Sequence, residues 1–78
     1  MSLRKLSITL DGHATSIALE EEFIAYLRGS AALRGVSLAA LIAAADHGRD
    51  SAHGLAGTLR VWVLADMQER LDKAEAAR

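Results

Sequence analysis

Acidic and imidazole side chains cluster near the middle of the chain, where Asp46, His47, Asp50 and His53 follow one another at intervals of one, three and three residues. Carboxylates and imidazoles both bind divalent ions, so the cluster is a candidate metal site. The segment is also rich in glycine and polar residues, which is typical of a loop between helices, with Asp50 or Ser51 capping the next helix. We favour the loop interpretation and expect no metal and no other cofactor.

Serine, histidine and aspartate, the residue types of hydrolytic triads, are all present in the chain. The sequence has no Gly-x-Ser-x-Gly motif, however, and its 78 residues are too few to enclose a substrate pocket. We therefore predict that the protein is not an enzyme.

The chain is small and nearly neutral, with no cysteine and a net charge of -1. Domains of this size bury only about 60% of their unfolded surface, and without disulfides they often gain core by oligomerising. The balanced charge argues against strong electrostatic capture of nucleic acid but leaves room for a local basic patch. Residues 38–45 and 61–65, the longest apolar stretches, are too short to cross a bilayer, and no secretion signal is apparent, so we expect a cytoplasmic oligomer.

Two short segments around Asp11-Gly12 have the pattern of a β-hairpin. Residues 6–10 alternate between apolar and polar side chains, and residues 13–19 are rich in β-branched types. The Asp-Gly pair favours a two-residue type I′ turn, because both turn residues need a positive φ. Closing this turn pairs Leu10 with His13 and leaves His13 half-buried on the apolar face.

The pairing sorts the hairpin into two faces, because side chains directly opposite each other point the same way. One face is apolar and carries Leu6, Ile8, Leu10, Thr15, Ile17 and Leu19. The other face is polar or small and carries Lys5, Ser7, Thr9, Ala14, Ser16 and Ala18. The agreement of both strands on one apolar face supports the register in which Leu6 lies opposite Ile17.

Three helices are predicted after the hairpin, over about residues 20–34, 37–47 and 54–76. Three glutamates from Glu20 supply an acidic first turn, Gly35 suits the left-handed end of the first helix, and Ser37 suits the N-cap of the second. Apolar side chains recur at helical spacing in all three. They are Phe23, Ile24, Leu27 and Ala31, with Tyr26 as a further candidate, then Leu38, Leu41, Ile42 and Ala45, then Leu55, Leu59, Trp62, Val63, Met67 and Leu71.

The order of these elements within residues 14–46 resembles the ribbon-helix-helix family of DNA-binding regulators. The resemblance rests on residues 15–23, Leu27, residues 34–38 and residues 41–42. With residues 10–13 and 59–64 included, the chain is similar to a bacterial subfamily of uncharacterised ribbon-helix-helix proteins. The resemblance implies a single α+β domain over residues 1–78, in which an N-terminal hairpin is followed by helices, including an additional C-terminal one.

The resemblance also implies an intertwined homodimer, with a higher oligomer also compatible. Its core would contain Ile17, Leu19, Phe23, Leu27, Leu38, Leu41, Ile42 and Trp62. We expect no folded monomer, because the apolar face of the hairpin and the apolar band 61–64 exceed what one short chain can cover.

In such a dimer, a two-stranded ribbon enters the major groove of double-stranded DNA. The ribbon residues carried over from the family as base contacts are Ala14, Ser16 and Ala18. The phosphate contacts are Arg4, Lys5, Val36, Ser37 and Leu38. The last three begin a helix, where unpaired amides and the helix dipole favour an anion. The predicted function is a dimeric, DNA-binding transcriptional regulator.

A second function stays open, namely a dimeric protein-protein interaction module of the same fold without sequence-specific DNA binding. Ala14 and Ala18 have no hydrogen-bonding side chain, so base readout by the ribbon would be thin. If both strands of each hairpin belong to the dimer sheet, its four strands are too broad to lie flat in a groove about 12 Å wide. Either the outer strands bend away, or the sheet binds an unknown protein partner.

Overall fold

The fold consists of an antiparallel hairpin followed by three helices, which is the predicted α+β arrangement. A computed structural model describes residues 2–47 and 54–77. The strands are β1, Leu3–Leu10, and β2, His13–Glu20. The helices are α1, Glu21–Arg34, α2, Leu38–His47, and α3, Leu55–Ala76.

The hairpin has the register that the sequence predicts. Leu10 lies opposite His13, and Leu6 lies opposite Ile17. The turn residue Asp11 has φ 50° and Gly12 has φ 81°, as a type I′ turn requires. The Asp-Gly dipeptide therefore sets the alignment of both strands and decides which side chains face the core.

The apolar face of the hairpin is covered by helices of the same chain. α1 and α3 pack against β2, and α2 packs against β1. Leu19, Leu27, Ile42 and Leu59 are fully buried where these elements meet. The expectation that one chain cannot cover this face is therefore wrong for the hairpin, because the three helices fold back over it. In the band 61–64, by contrast, Val61 and Leu64 stay exposed, as that expectation predicts.

His13 differs from its predicted half-buried position and is exposed. Its partner Leu10 is buried, so the helices cover the end of β1 but not the start of β2. The histidine thus lies at the open, turn-side corner of the hairpin.

The connection between α1 and α2 follows the capping rules. Gly35 has φ 68°, and its amide donates to the carbonyl of Ala32 at 3.1 Å. The amide of Val36 donates to the carbonyl of Ala31, also at 3.1 Å. Ser37 Oγ accepts a hydrogen bond from the amide of Ala40 at 3.0 Å. The predicted left-handed helix end and the predicted N-cap are both confirmed.

The inward face of α3 differs from prediction in its second half. Leu59, Val63 and Asp66 form the buried row. Met67 and Leu71, which were expected to share one apolar stripe with Leu59, are 47% and 52% exposed. The row continues through an aspartate because Asp66 has hydrogen-bonding partners on the facing helix α1.

No single helix within the described ranges is long and apolar enough to span a membrane. Only α1 and α2 together have sufficient length and apolar character, and their axes are bent by 99°.

Candidate nucleic-acid interface

The face of the hairpin that points away from the helices is entirely exposed. We call it the outer face, and it consists of Lys5, Ser7, Thr9, Ala14, Ser16 and Ala18. Three of these side chains carry a hydroxyl group, one is a cation, and none is larger than lysine. The outer face is therefore flat and polar. Apart from Lys5 its side chains are short, so a bound surface can approach the backbone of the strands closely.

The free edge of β2 is the second feature of the site. Paired residues in an antiparallel hairpin alternate between hydrogen-bonded and non-bonded pairs, starting with the bonded pair next to the turn. With Leu10 opposite His13, the backbone groups of Ala14, Ser16 and Ala18 point away from β1. Within the part of the chain that the structure describes, no third strand takes up these groups. Such an edge is a template for a strand from another chain.

The N-terminus of α2 lies close to the turn-side half of the hairpin. Ala39, in the first turn of α2, lines one shallow depression together with residues 7–9 and 14–16, which include Ile8 and Thr15 of the apolar face. The first amides of this helix lack intrahelical partners and carry the positive end of its dipole. Ser37 accepts its capping bond and still has its O–H to donate to an anion. The structure thus places an anion-attracting helix end near the turn-side half of the hairpin.

The two predicted cationic phosphate contacts lie on opposite faces of the hairpin. Lys5 belongs to the outer face. Arg4 lies opposite Leu19, on the side of the helices, and its Nη1 donates to Glu21 Oε1 at 2.9 Å. Both side chains of this ion pair are more than 60% exposed, so the pair is weak and can open at little cost.

A buried carboxylate that the sequence analysis did not single out connects α1 with α3. Asp66 is 7% exposed and accepts hydrogen bonds from Tyr26 Oη at 2.7 Å, Arg34 Nη2 at 2.7 Å and Arg70 Nε at 3.0 Å. Ser30 Oγ lies 3.5 Å from the same carboxylate and also accepts a hydrogen bond from Arg34. We call these five residues the Asp66 cluster.

The cluster holds Asp66 in its ionised form. Burial alone raises the pKa of this carboxyl, but the hydrogen bonds from Tyr26, Arg70 and Arg34 outweigh burial and lower the pKa from 3.8 to about 2. Burial and the bond to Asp66 also raise the pKa of Tyr26. The Arg34 guanidinium also makes a cation-π contact, because it lies 5.3 Å from the centre of the Trp62 ring.

A second long-range ion pair fixes the end of β2. Arg60 of α3 donates to both carboxylate oxygens of Glu20, at 2.8 and 3.0 Å, and lies over the ring of Phe23. These bonds are the main reason why the pKa of Glu20 is lowered and that of Arg60 is raised. Glu20 is thus a strand residue bound to α3, a correction to its predicted place in the first helical turn, which starts with Glu21.

The residues predicted for a dimer core divide into two groups. Ile17, Leu19, Leu27, Leu41 and Ile42 are buried within the chain itself. Phe23, Leu38 and Trp62 are half-buried and pack against that core. Only the second group therefore has apolar surface left for a second copy.

The alternative metal site falls partly outside the described residues. Asp46 and His47 end α2, whereas Asp50, Ser51 and His53 lie beyond the described ranges. Among residues 2–47 and 54–77, no group of three potential ligands is close enough to hold a metal ion.

A hairpin with a free edge, followed by two helices joined through a capped turn, defines a small class of β-ribbon proteins. A family model described as "Ribbon-helix-helix domain" matches residues 3–67, from β1 into the middle of α3. The chain belongs to the ribbon-helix-helix domain family. No curated protein and no solved structure matches it. Members of the family are generally DNA-binding transcription regulators, typically homodimeric and typically non-enzymatic.

Proposed function

We propose that the protein is a cytoplasmic, homodimeric transcriptional regulator that binds double-stranded DNA through the outer face of its hairpin. The observation that carries the proposal is the asymmetry of the hairpin. One face is buried under helices, while the other presents Lys5, Ser7, Thr9 and Ser16 without any cover. A polar face of this kind, in a family that generally binds DNA, supports contact with a duplex.

Two copies pair along the free edges of β2. The backbone groups of Ala14, Ser16 and Ala18 bond to the antiparallel copy of the same strand, which gives a sheet in the order β1-β2-β2-β1. Phe23, Leu38 and Trp62 contribute the apolar surface between the copies. These three side chains pack against a core that is buried within each copy and includes Ile17, Leu19, Leu27, Leu41 and Ile42.

The width of this sheet assigns different roles to its strands. Four strands at about 4.8 Å spacing extend roughly 14 Å between the outer axes, slightly more than the major-groove width of about 12 Å. The two copies of β2 therefore face the bases, and the two copies of β1 lie over the phosphate rims. Ser16 is then the only polar base contact, and Ala14 and Ala18 offer methyl groups to thymine.

The remaining contacts are with phosphates. Lys5 reaches a rim from β1, and the amides of Ser37 and Leu38 bind a phosphate at the start of α2. The amide of Val36, predicted as a third phosphate donor, is bonded to the carbonyl of Ala31 instead. Arg4 joins them when its exposed pair with Glu21 opens. Contacts of this kind position the protein without reading sequence.

Two single substitutions test the division between base and phosphate contacts. A duplex selected from a random pool and its scrambled counterpart are titrated with Ser16→Ala and Ser37→Ala. We expect Ser16→Ala to reduce discrimination between the duplexes by on the order of 1 kcal/mol, the lower end of the ~1–3 of a bidentate contact. We expect Ser37→Ala to weaken binding to both duplexes alike, because a phosphate contact is independent of sequence.

The alternative is a dimeric protein-protein interaction module of the same fold. It is favoured by the net charge of -1 and by the two alanines among the three central outer-face residues. Equal, negligible effects of both substitutions in a folded dimer would support this alternative and contradict the DNA-binding proposal.

A further inference from the structure

An apolar stripe on α3 lies outside the proposed ribbon interface. Leu64, Met67 and Leu71 are 62%, 47% and 52% exposed, and Ala74 continues the row. Their spacing of three, four and three residues keeps them on one side of the helix. We call these four residues the α3 stripe.

Most of the stripe lies on the C-terminal part of α3, which extends beyond the packed core of the protein. The last buried residue of the helix is Asp66, and every residue from Met67 to Ala76 is exposed. These ten residues extend about 15 Å, a length at which an isolated helix is marginal in water. The hydrogen bond from Gln68 to Asp72 and the ion pair between Lys73 and Glu69 support the helix beside the stripe and leave the stripe itself uncovered.

The spacing and the flanking charges point to a second copy of the same helix as the occupant. Leu64 and Leu71 take the a positions of a heptad, and Met67 and Ala74 take the d positions. Arg70 then falls at g and Glu75 at e. In a parallel pair these two flanking positions face each other across the seam with opposite charge. Arg70 bonds to Asp66 through Nε, so its terminal nitrogens stay available for Glu75 of the other copy.

The stripe also borders the apolar surface through which the two copies are proposed to meet. Leu64 and Met67 line a shallow apolar groove with Phe23 and Val63. Phe23 is one of the half-buried residues with surface left for a second copy. We propose that the C-terminal half of α3 packs in parallel against the same segment of a second copy, as a short coiled-coil contact separate from the ribbon.

The chain contains no cysteine, so single cysteines report this contact directly. Ala74→Cys places a thiol in the seam, where parallel copies meet their own equivalents, and Ala76→Cys places one on the opposite side of the same helix turn. Mild oxidation at about 10 μM protein should cross-link Ala74→Cys at least about tenfold faster, because the two copies of either thiol belong to the same dimer but only the seam brings two Cβ atoms near the ~4 Å separation that a disulfide needs. Equal rates, or a faster rate for Ala76→Cys, would overturn the proposal.

A second substitution separates this contact from dimerisation through the ribbon. Leu71→Glu in the Ala74→Cys background should lower the cross-linking rate to that of Ala76→Cys, while helix content stays unchanged because Leu71 is half-exposed in the single chain. A rate that stays at the level of Ala74→Cys alone would contradict the α3 contact. The proposal does not depend on DNA binding, which is measured independently on the same variants.

Discussion

The hairpin and the Asp66 cluster stabilise the chain in different ways. The hairpin spreads its contribution over a ladder of backbone pairs and an apolar face that includes Leu6, Ile17 and Leu19. The Asp66 cluster concentrates its contribution in one buried carboxylate, with Arg70 four residues away on the same helix and its other partners 32 to 40 residues away. A distributed apolar interface produces a periodic pattern of apolar residues in the sequence, whereas a single buried polar residue produces none. Apolar burial also persists at any pH, whereas an ionised carboxylate does not.

The largest effect is expected in the hairpin. Ile17→Asp places a carboxylate among the apolar side chains of the core and should abolish the folded state. The matched control is Ser16→Asp, one residue away on the outer face, which should keep the fold. Circular dichroism and sedimentation distinguish the two outcomes. A folded Ile17→Asp protein would show that the apolar face is not the core.

A smaller but still large effect is expected at the centre of the cluster. Asp66→Ala leaves Arg34 and Arg70 without their shared anion and should lower the free energy of unfolding by about 2–3 kcal/mol. This is below the ~3–5 for a fully buried pair, because the arginine side chains are 37% and 44% exposed. Asp72→Ala, on the exposed side of α3, serves as the control and should cost under about 0.5 kcal/mol in urea unfolding. Similar losses for both variants would mean that Asp66 has no special role.

Acid should weaken the cluster and spare the apolar face. The folded pKa of Asp66 is about 2, against 3.8 for the free group. Its contribution is therefore complete above pH 4 and is lost as the pH falls through the folded pKa. We expect a loss of up to about 2 kcal/mol between pH 4 and pH 2. Urea midpoints of Asp66→Asn should lack this part of the acid dependence, and an unchanged dependence would assign it to other carboxyls.

The smallest of the stability effects is expected at the start of α2. Ser37→Ala removes the acceptor for the amide of Ala40 and should cost about 1 kcal/mol, the usual value of an N-cap. Ser37→Asp keeps an acceptor and should restore stability while repelling phosphate. Full stability of Ser37→Ala would show that the cap is dispensable.

These contrasts explain which features the sequence could predict. The Asp-Gly turn and the alternation on both sides of it determine the strand register through local geometry. Gly35 and Ser37 mark helix ends through backbone rules that need no distant partner. Such features can be predicted from neighbouring residues alone.

The Asp66 cluster and the bond between Glu20 and Arg60 depend on the packing of α3 against α1 and β2. Apart from Arg70, four residues after Asp66, nothing near these residues specifies their partners, and the three consecutive glutamates from Glu20 favour a helix start. One signal was available, because Asp66 follows Leu59 and Val63 at spacings of four and three in the buried row. A charged residue at a core position of a helix indicates a buried ion pair.

The central claim, that the outer face and the N-terminus of α2 bind duplex phosphates, is tested most directly by a salt titration. Binding of a duplex is measured from about 50 mM salt upward. With Arg4 and Lys5 of both copies in contact, the logarithm of affinity should fall against that of salt with a slope of about -3 to -4, and Lys5→Gln should reduce its magnitude by about 2. Absence of binding at ~50 mM salt, or a slope indifferent to Lys5→Gln, would contradict the claim.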